Sequence, residues 1–273
     1  MTDKELLNKK LQSKISMPVG DVLSDSFDLF GKGVGRYIAF TFLMFIILVS
    51  VGIITIVLPF VGVLLFIVAA LIVSPALQVG VGRFTKKLKE DRDPQFSDFF
   101  SGFQYNLGQL VLQGFVISLI STAIAFGLNT DLYLSYYDLV LAYDGDYEEV
   151  LGQITEINEL YGQTTILSFL GGVFSFYIGL GLSLTPYIVS FYNVNAFTAM
   201  DVSFRAINKV VFQAAAIQIV LAIIAVMGAI VLLVGLLATL PILFIGSYLM
   251  FRYAIGEKDS MEADEFEINE HLM

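Results

Sequence analysis

The sequence predicts an all-α membrane protein with six transmembrane helices in three hairpins, each hairpin preceded by an amphipathic helix at the cytoplasmic interface. Three observations predict this fold: an apolar composition, apolar runs of membrane-spanning length, and lysines and arginines confined to one side. The 273 residues are 57% hydrophobic and only 15% charged. A soluble domain of this size carries about a quarter charged residues.

The apolar runs define six spans. A helix needs about 20 apolar residues to cross a hydrocarbon core of about 30 Å. Two runs are too long for one crossing, and they divide at Pro59-Phe60-Val61-Gly62 and between Gly228 and Gly235. The predicted spans are residues 37–58, 61–82, 107–128, 165–192, 210–230 and 232–253, all within one membrane domain over residues 18–256.

The basic residues predict the orientation of these spans. All 15 lysines and arginines fall before span one, after span two, before span five, or at and beyond the end of span six, where Arg252 is the second-last residue of the span, and none lies between Arg92 and Arg205. Because basic residues concentrate in cytoplasmic loops, we expect both termini in the cytoplasm of a bacterial cell, with the protein in its inner membrane. Residues 1–17 then form a cytoplasmic N-terminus, and residues 257–273 form an acidic, disordered cytoplasmic tail.

The external segment over residues 129–164 is acidic and rich in tyrosine. Its pattern predicts two short helices, broken at Asp144-Gly145, that lie over the outer membrane face. Tyrosine adds contact area at low entropic cost, so we expect a surface for a partner protein here. The tyrosines of that expected surface are Tyr133, Tyr136, Tyr137, Tyr143 and Tyr147.

Three short stretches that precede spans one, three and five resemble one another. Residues 19–30, 96–103 and 197–207 each combine serine, aspartate and phenylalanine with helical apolar spacing. This predicts three interfacial helices that lie flat on the membrane, each leading into a hairpin. The alternative to an internal repeat is convergence, since any helix that enters a membrane at a shallow angle needs such a face.

Several classes of chemistry lack the residues they need. The chain has no cysteine and one histidine, His271, which excludes thiolate sites and leaves no histidine cluster for metal, haem or base catalysis. No Asp, Glu, Lys, Arg or His lies within a span core, which argues against ion-coupled transport. We therefore expect no cofactor, no metal site, no nucleic-acid partner and no enzyme activity.

Polar residues within the spans are expected to bond across helices, although a polar substrate pathway is the alternative. These residues are Gln78, Gln109, Gln113, Gln213 and Gln218.

Two further sets of residues are candidate contact sites. A row of small residues on one face of span four is expected to pack against the rest of the chain, against a partner subunit or against a lipid tail. This row consists of Ser168, Gly172, Ser175, Gly179 and Ser183. Six cations at headgroup level are expected to contact anionic lipids. They are Lys32, Arg36, Arg83, Lys86, Lys87 and Lys89.

One motif carries a family resemblance. The run Pro94-Gln95-Phe96-Ser97-Asp98-Phe99-Phe100-Ser101-Gly102-Phe103 and the uncharged hairpins resemble the bacterial YciC-like integral membrane proteins and the membrane domain attached to some glycerophosphodiester phosphodiesterases. The resemblance implies a bacterial inner-membrane protein of about six spans. The soluble phosphodiesterase domain is missing from this sequence, so the resemblance does not imply that activity.

These observations favour a non-catalytic accessory or scaffold subunit that associates with another membrane complex. The features behind this expectation are the uncharged span cores, the small-residue row and the tyrosine-rich external segment. The alternative is a carrier or chaperone for lipids or other apolar molecules, with a cavity between the hairpins.

The predicted orientation can be tested by cysteine labelling, because the chain has no native cysteine. We expect an Asp146→Cys variant to react with an impermeant maleimide from outside the cell, since residue 146 lies in the predicted external segment. Labelling of this variant from the cytoplasm alone would contradict the orientation.

Overall fold

A computed structural model describes residues 2–128, 130–141, 147–161, 166–230 and 235–256. All regular secondary structure in these ranges is helical. The helices are α1 (Asp3–Gln12), α2 (Val19–Val57), α3 (Pro59–Val68), a π-helical turn (Ala69–Val73), α4 (Ser74–Lys89), a 3₁₀ helix (Phe96–Phe103), α5 (Leu107–Leu128), α6 (Thr130–Leu141), α7 (Tyr147–Tyr161), α8 (Ile166–Leu182), α9 (Thr185–Tyr192), α10 (Ala196–Asn208), α11 (Val211–Ile230) and α12 (Leu236–Ala254).

Six helical segments in the described part of the chain are long and apolar enough to cross a membrane. They are Val19–Val57, Phe60–Lys89, Leu107–Gly127, Phe169–Tyr192, Val211–Ile230 and Leu236–Ala254. The predicted all-α membrane fold with six spans is therefore confirmed. The arrangement in hairpins, the interfacial position of the pre-span helices and the orientation of the termini stay predictions. The predicted disordered tail lies outside the described residues.

The chain forms two compact units, one over Met1–Phe115 and Leu180–Met273 and the other over Val116–Gly179. In the larger unit, a buried core joins α1, α2, α4, the 3₁₀ helix and α9 to α12. In the smaller unit, α6 packs against α7. Two helices therefore occupy the acidic segment for which two were predicted.

Helix α2 joins the first pre-span stretch to span one. Between the two parts the helix has a kink at Gly33, whose backbone is non-helical at φ −122° and ψ 18°. The buried side of the pre-span part carries Val22, Ser26 and Leu29. The apolar side that spacing predicts to lie on the membrane includes Phe27 and adjoins this buried side, and Phe27 is 47% exposed.

The second pre-span stretch is the 3₁₀ helix, which packs backbone to backbone against α4. A Cβ atom built on Gly80 would lie 1.9 Å from the carbonyl oxygen of Phe99, and one built on Gly102 would lie 1.9 Å from that of Ala76. Only glycine allows this approach, because any side chain would occupy the space of the opposite backbone. The contact places the Phe99 ring, which is fully buried, in the core of the larger unit.

The third pre-span stretch, α10, supports a break in span four. The sequence predicted one span over residues 165–192, and the structure divides this span into two helices, since α8 ends at Leu182 and α9 begins at Thr185. Pro186 thus lies in the first turn of α9, where its missing N–H group leaves no bond unmade. The Ser203 hydroxyl of α10 donates to the Gly181 carbonyl oxygen at 2.6 Å and accepts from the Leu184 N–H at 3.2 Å.

The three pre-span stretches share one packing arrangement. The 3₁₀ helix packs on α4 and α10 packs on α9, so each lies against the end of the preceding span. Helix α2 packs on α12, where the Tyr253 hydroxyl donates to the Asp25 carboxylate at 3.4 Å. This shared arrangement is what an internal three-fold repeat predicts.

The glycine contact between α4 and the 3₁₀ helix has a testable consequence. We expect Gly80→Ala to lower the stability of the folded chain by about 1–3 kcal/mol, because overpacking forces the backbones apart. The measurement is the thermal unfolding midpoint in mild detergent, followed by circular dichroism.

Gly52→Ala is the matched control, since a Cβ atom at Gly52 of α2 would meet no described atom within 4 Å. This change should leave stability equal or raised by up to about 1 kcal/mol, as alanine favours helix. Equal midpoints for the two variants would show that the close approach at Gly80 does not exist.

Candidate interaction site

Arg83 ties α4 to α9 and to the turn before α5. Its guanidinium lies 3.5 Å from the centre of the Tyr105 ring and 5.0 Å from that of Phe191. Nη2 donates to the carbonyl oxygen of Ser190 at 3.0 Å, and Nε donates to the hydroxyl oxygen of the same serine at 3.2 Å. Stacking on aromatic rings combined with directed hydrogen bonds is the geometry in which arginine differs most from lysine. Arg83 is therefore a structural brace.

The other five cations of the predicted lipid-contact set each face a carboxylate of the chain. The pairs are Lys32–Asp91 at 3.6 Å, Arg36–Asp93 at 2.9 Å, Lys86–Glu90 at 4.0 Å, Lys87–Asp98 at 2.8 Å and Lys89–Asp25 at 2.7 Å. The Lys87 and Lys89 pairs hold separate elements together, since Asp98 belongs to the 3₁₀ helix and Asp25 to α2.

In two of these pairs both the cation and its carboxylate are exposed. The side chains of Lys32 and Arg36 are 53% and 44% exposed, and their partners Asp91 and Asp93 are 88% and 74% exposed. Exposed pairs of this kind contribute little to stability, so a lipid phosphate can replace the carboxylate at small cost. Contact with anionic lipid stays a prediction, and it fits Lys32 and Arg36 better than Arg83.

Sequence reasoning missed the helix α1 and its anchoring. Lys10 Nζ donates to the Tyr192 hydroxyl at 2.7 Å, and that hydroxyl donates to the carbonyl oxygen of Gly256 at 2.7 Å. One tyrosine thus connects α1, α9 and the end of α12. The sequence signal that could have predicted α1 is the capping box at Thr2 and Glu5, which marks the start of a helix.

The span glutamines act partly as predicted. Gln109 Oε1 accepts from the Ala196 N–H at 2.8 Å, and Gln78 bonds to the Tyr187 side chain. Gln113 is 2% exposed, and its Oε1 has no hydrogen-bond partner among the described residues. Gln213 is exposed. Bonding across helices is therefore present for Gln78 and Gln109.

The small-residue row of span four is open on α8. Gly172, Ser175 and Gly179 are exposed, and a Cβ atom on either glycine would meet no described atom within 4 Å. In contrast, a Cβ atom on Gly181, just beyond this row, would lie 2.4 Å from the Phe204 ring. Ser183, the last member of the row, donates from its hydroxyl to the Leu180 carbonyl oxygen at 2.7 Å.

The remaining members of the predicted sites are only partly described. The side chains of Ser168, Tyr133 and Tyr147 and the whole of Tyr143 lie outside the described residues. Tyr136 is half-buried, whereas Tyr137 is 60% exposed.

In the described ranges, His, Cys, Asp and Glu do not form a group of three or more that could hold a metal ion. Comparison with protein-family models, curated proteins and solved structures found no match to this chain. The family resemblance stays an expectation. The candidate interaction site consists of the open face of α8 and the exposed surface of α6.

The role of Arg83 as a brace is testable. Arg83→Gln should lower stability by about 1–3 kcal/mol, because it removes the ring contacts and leaves buried Ser190 without its charged donor. The readout is the fraction of monodisperse protein after heating in detergent, by size-exclusion chromatography.

Arg36→Gln serves as the comparison, because it breaks only an exposed pair. Its effect should stay within about 0.5 kcal/mol. A larger loss for Arg36→Gln than for Arg83→Gln would contradict the assignment of Arg83 as the brace.

Proposed function

We propose that this chain is a non-catalytic accessory or scaffold subunit of a bacterial inner-membrane complex, with both termini in the cytoplasm. It binds a second membrane protein through α8. The single observation that carries this proposal is the small-residue face at Gly172, Ser175 and Gly179, which no described residue fills.

The chemistry of α8 supports a protein partner at this face. By helical periodicity Phe169 and Phe176 lie next to these small residues, and they are 64% and 41% exposed. The small residues therefore form a notch beside bulky aromatic rings. In lipid, where water does not drive helices together, such notches allow close backbone approach and favourable van der Waals packing. A transmembrane helix fits this notch.

The braced core of the larger unit supports a scaffolding role. Arg83, Lys87 and Lys89 join separate helices, so their ends form a well-connected base. The predicted span cores contain no Asp, Glu, Lys, Arg or His, which favours a structural role over ion-coupled transport.

Bulky substitutions on the notch separate partner binding from folding. We expect the double variant Gly172→Leu with Ser175→Leu to lose the complex, because leucine fills the space that a partner helix needs. The measurement is the apparent mass of the affinity-tagged chain in gentle detergent extracts, by native gel, with mass spectrometry of the bands.

The matched control is Leu170→Phe with Val173→Leu, which enlarges exposed side chains on the other side of α8; this variant should keep the complex. If the notch variant unfolds while wild type is a lone chain, the face packs within the protein and the proposal fails. A stoichiometric lipid in place of a protein would support the alternative, a carrier for apolar molecules.

A further inference from the structure

We propose that α6 carries a second docking surface, which binds a protein segment whose apolar side is bordered by lysine and arginine. The surface, called here the α6 face, consists of Leu134, Tyr137 and Leu141. The proposal extends the proposed function by stating the chemistry of the partner at a separate site.

The α6 face is a continuous apolar stripe on one side of the helix. Its residues are three and four positions apart, so they lie above one another along α6. They are 50%, 60% and 66% exposed. Leu139, which points to the opposite side by helical periodicity, is only 6% exposed. Helix α6 therefore uses its other side for packing, and α7 is the helix it contacts.

An acidic residue borders the α6 face. Asp138 is exposed and adjoins the stripe by helical periodicity. The smaller unit has carboxylates in its sequence but no lysine or arginine, since none occurs between Arg92 and Arg205. Its charge is therefore uncompensated within the unit, and a cationic partner gains attraction on approach.

The negative charge of the smaller unit also disfavours two other occupants of the α6 face, a membrane surface and a second copy of this chain. A helix that lies on a membrane surface usually carries lysine and arginine on its polar side, which anionic headgroups attract. The α6 face has Asp138 there, in a unit whose sequence contains no lysine or arginine, so an anionic bilayer repels it. A second copy of this chain would bring equal negative charge to the contact, and like charges across an interface are costly. A basic, apolar protein segment is the occupant that fits both features.

Cysteine protection tests the proposal on the full chain. The Leu141→Cys variant is produced in the native host cells, and open membrane fragments are prepared from them. The rate at which the variant reacts with a hydrophilic maleimide is then measured in these fragments. We expect labelling to be several-fold slower than for the purified variant in phosphatidylcholine liposomes. High salt should restore the rate, because it screens the charge attraction.

Thr155→Cys is the control, because Thr155 is exposed on α7 and lies outside the α6 face; it should react at similar rates in both settings. A second variant, Leu141→Cys with Asp138→Asn, should lose part of its protection. Slow labelling in liposomes would show that the α6 face lies on lipid, which overturns the proposal. Fast labelling in native membranes would also overturn the proposal, and so would slow labelling there that high salt does not speed up.

The outcome is separable from that of the proposed function. If the α8 notch variant loses its complex while Leu141→Cys reacts quickly in native membranes, only the α6 proposal fails. If wild type is a lone chain and Leu141→Cys also reacts quickly, both proposals fail.

Discussion

The backbone contact between α4 and the 3₁₀ helix is the constraint on which the larger unit depends. Gly80 and Gly102 let the two segments touch, and that approach inserts Phe99 between the rings of Phe40 and Phe84, at centroid distances of 4.4 and 4.0 Å. The same approach lets Lys87 reach Asp98. Within lipid the hydrophobic effect gives no preference for protein over acyl chain, so close packing and directed polar contacts must hold the helices together.

How far the sequence predicts the structure follows from what the bilayer requires. The number of spans is predictable, because length and apolarity are imposed by the hydrocarbon core. The buried side of each helix is not, because apolar residues face both lipid and protein. In the first pre-span stretch, spacing placed Phe27 on the side predicted to face the membrane, but it did not single out the side of Val22 and Leu29, which the structure buries.

The candidate site is also only partly predictable from the sequence. The regular spacing of small residues on α8 is visible in the sequence, but spacing cannot tell a filled face from an open one. Only the structure shows that Gly181 faces Phe204, whereas Gly172 and Gly179 have open space around them among the described residues. Likewise, the cations near headgroup level divide into braces such as Arg83 and open side chains such as Lys32 only once their partners are known.

Together these features describe a braced core that leaves other apolar surfaces exposed for another membrane protein. The most direct test is native mass spectrometry of the unmodified chain, ejected from native membrane vesicles without detergent. The account predicts one defined species that is heavier than the chain by the mass of a second protein. Detection of the chain by itself, or with lipids alone, would contradict it.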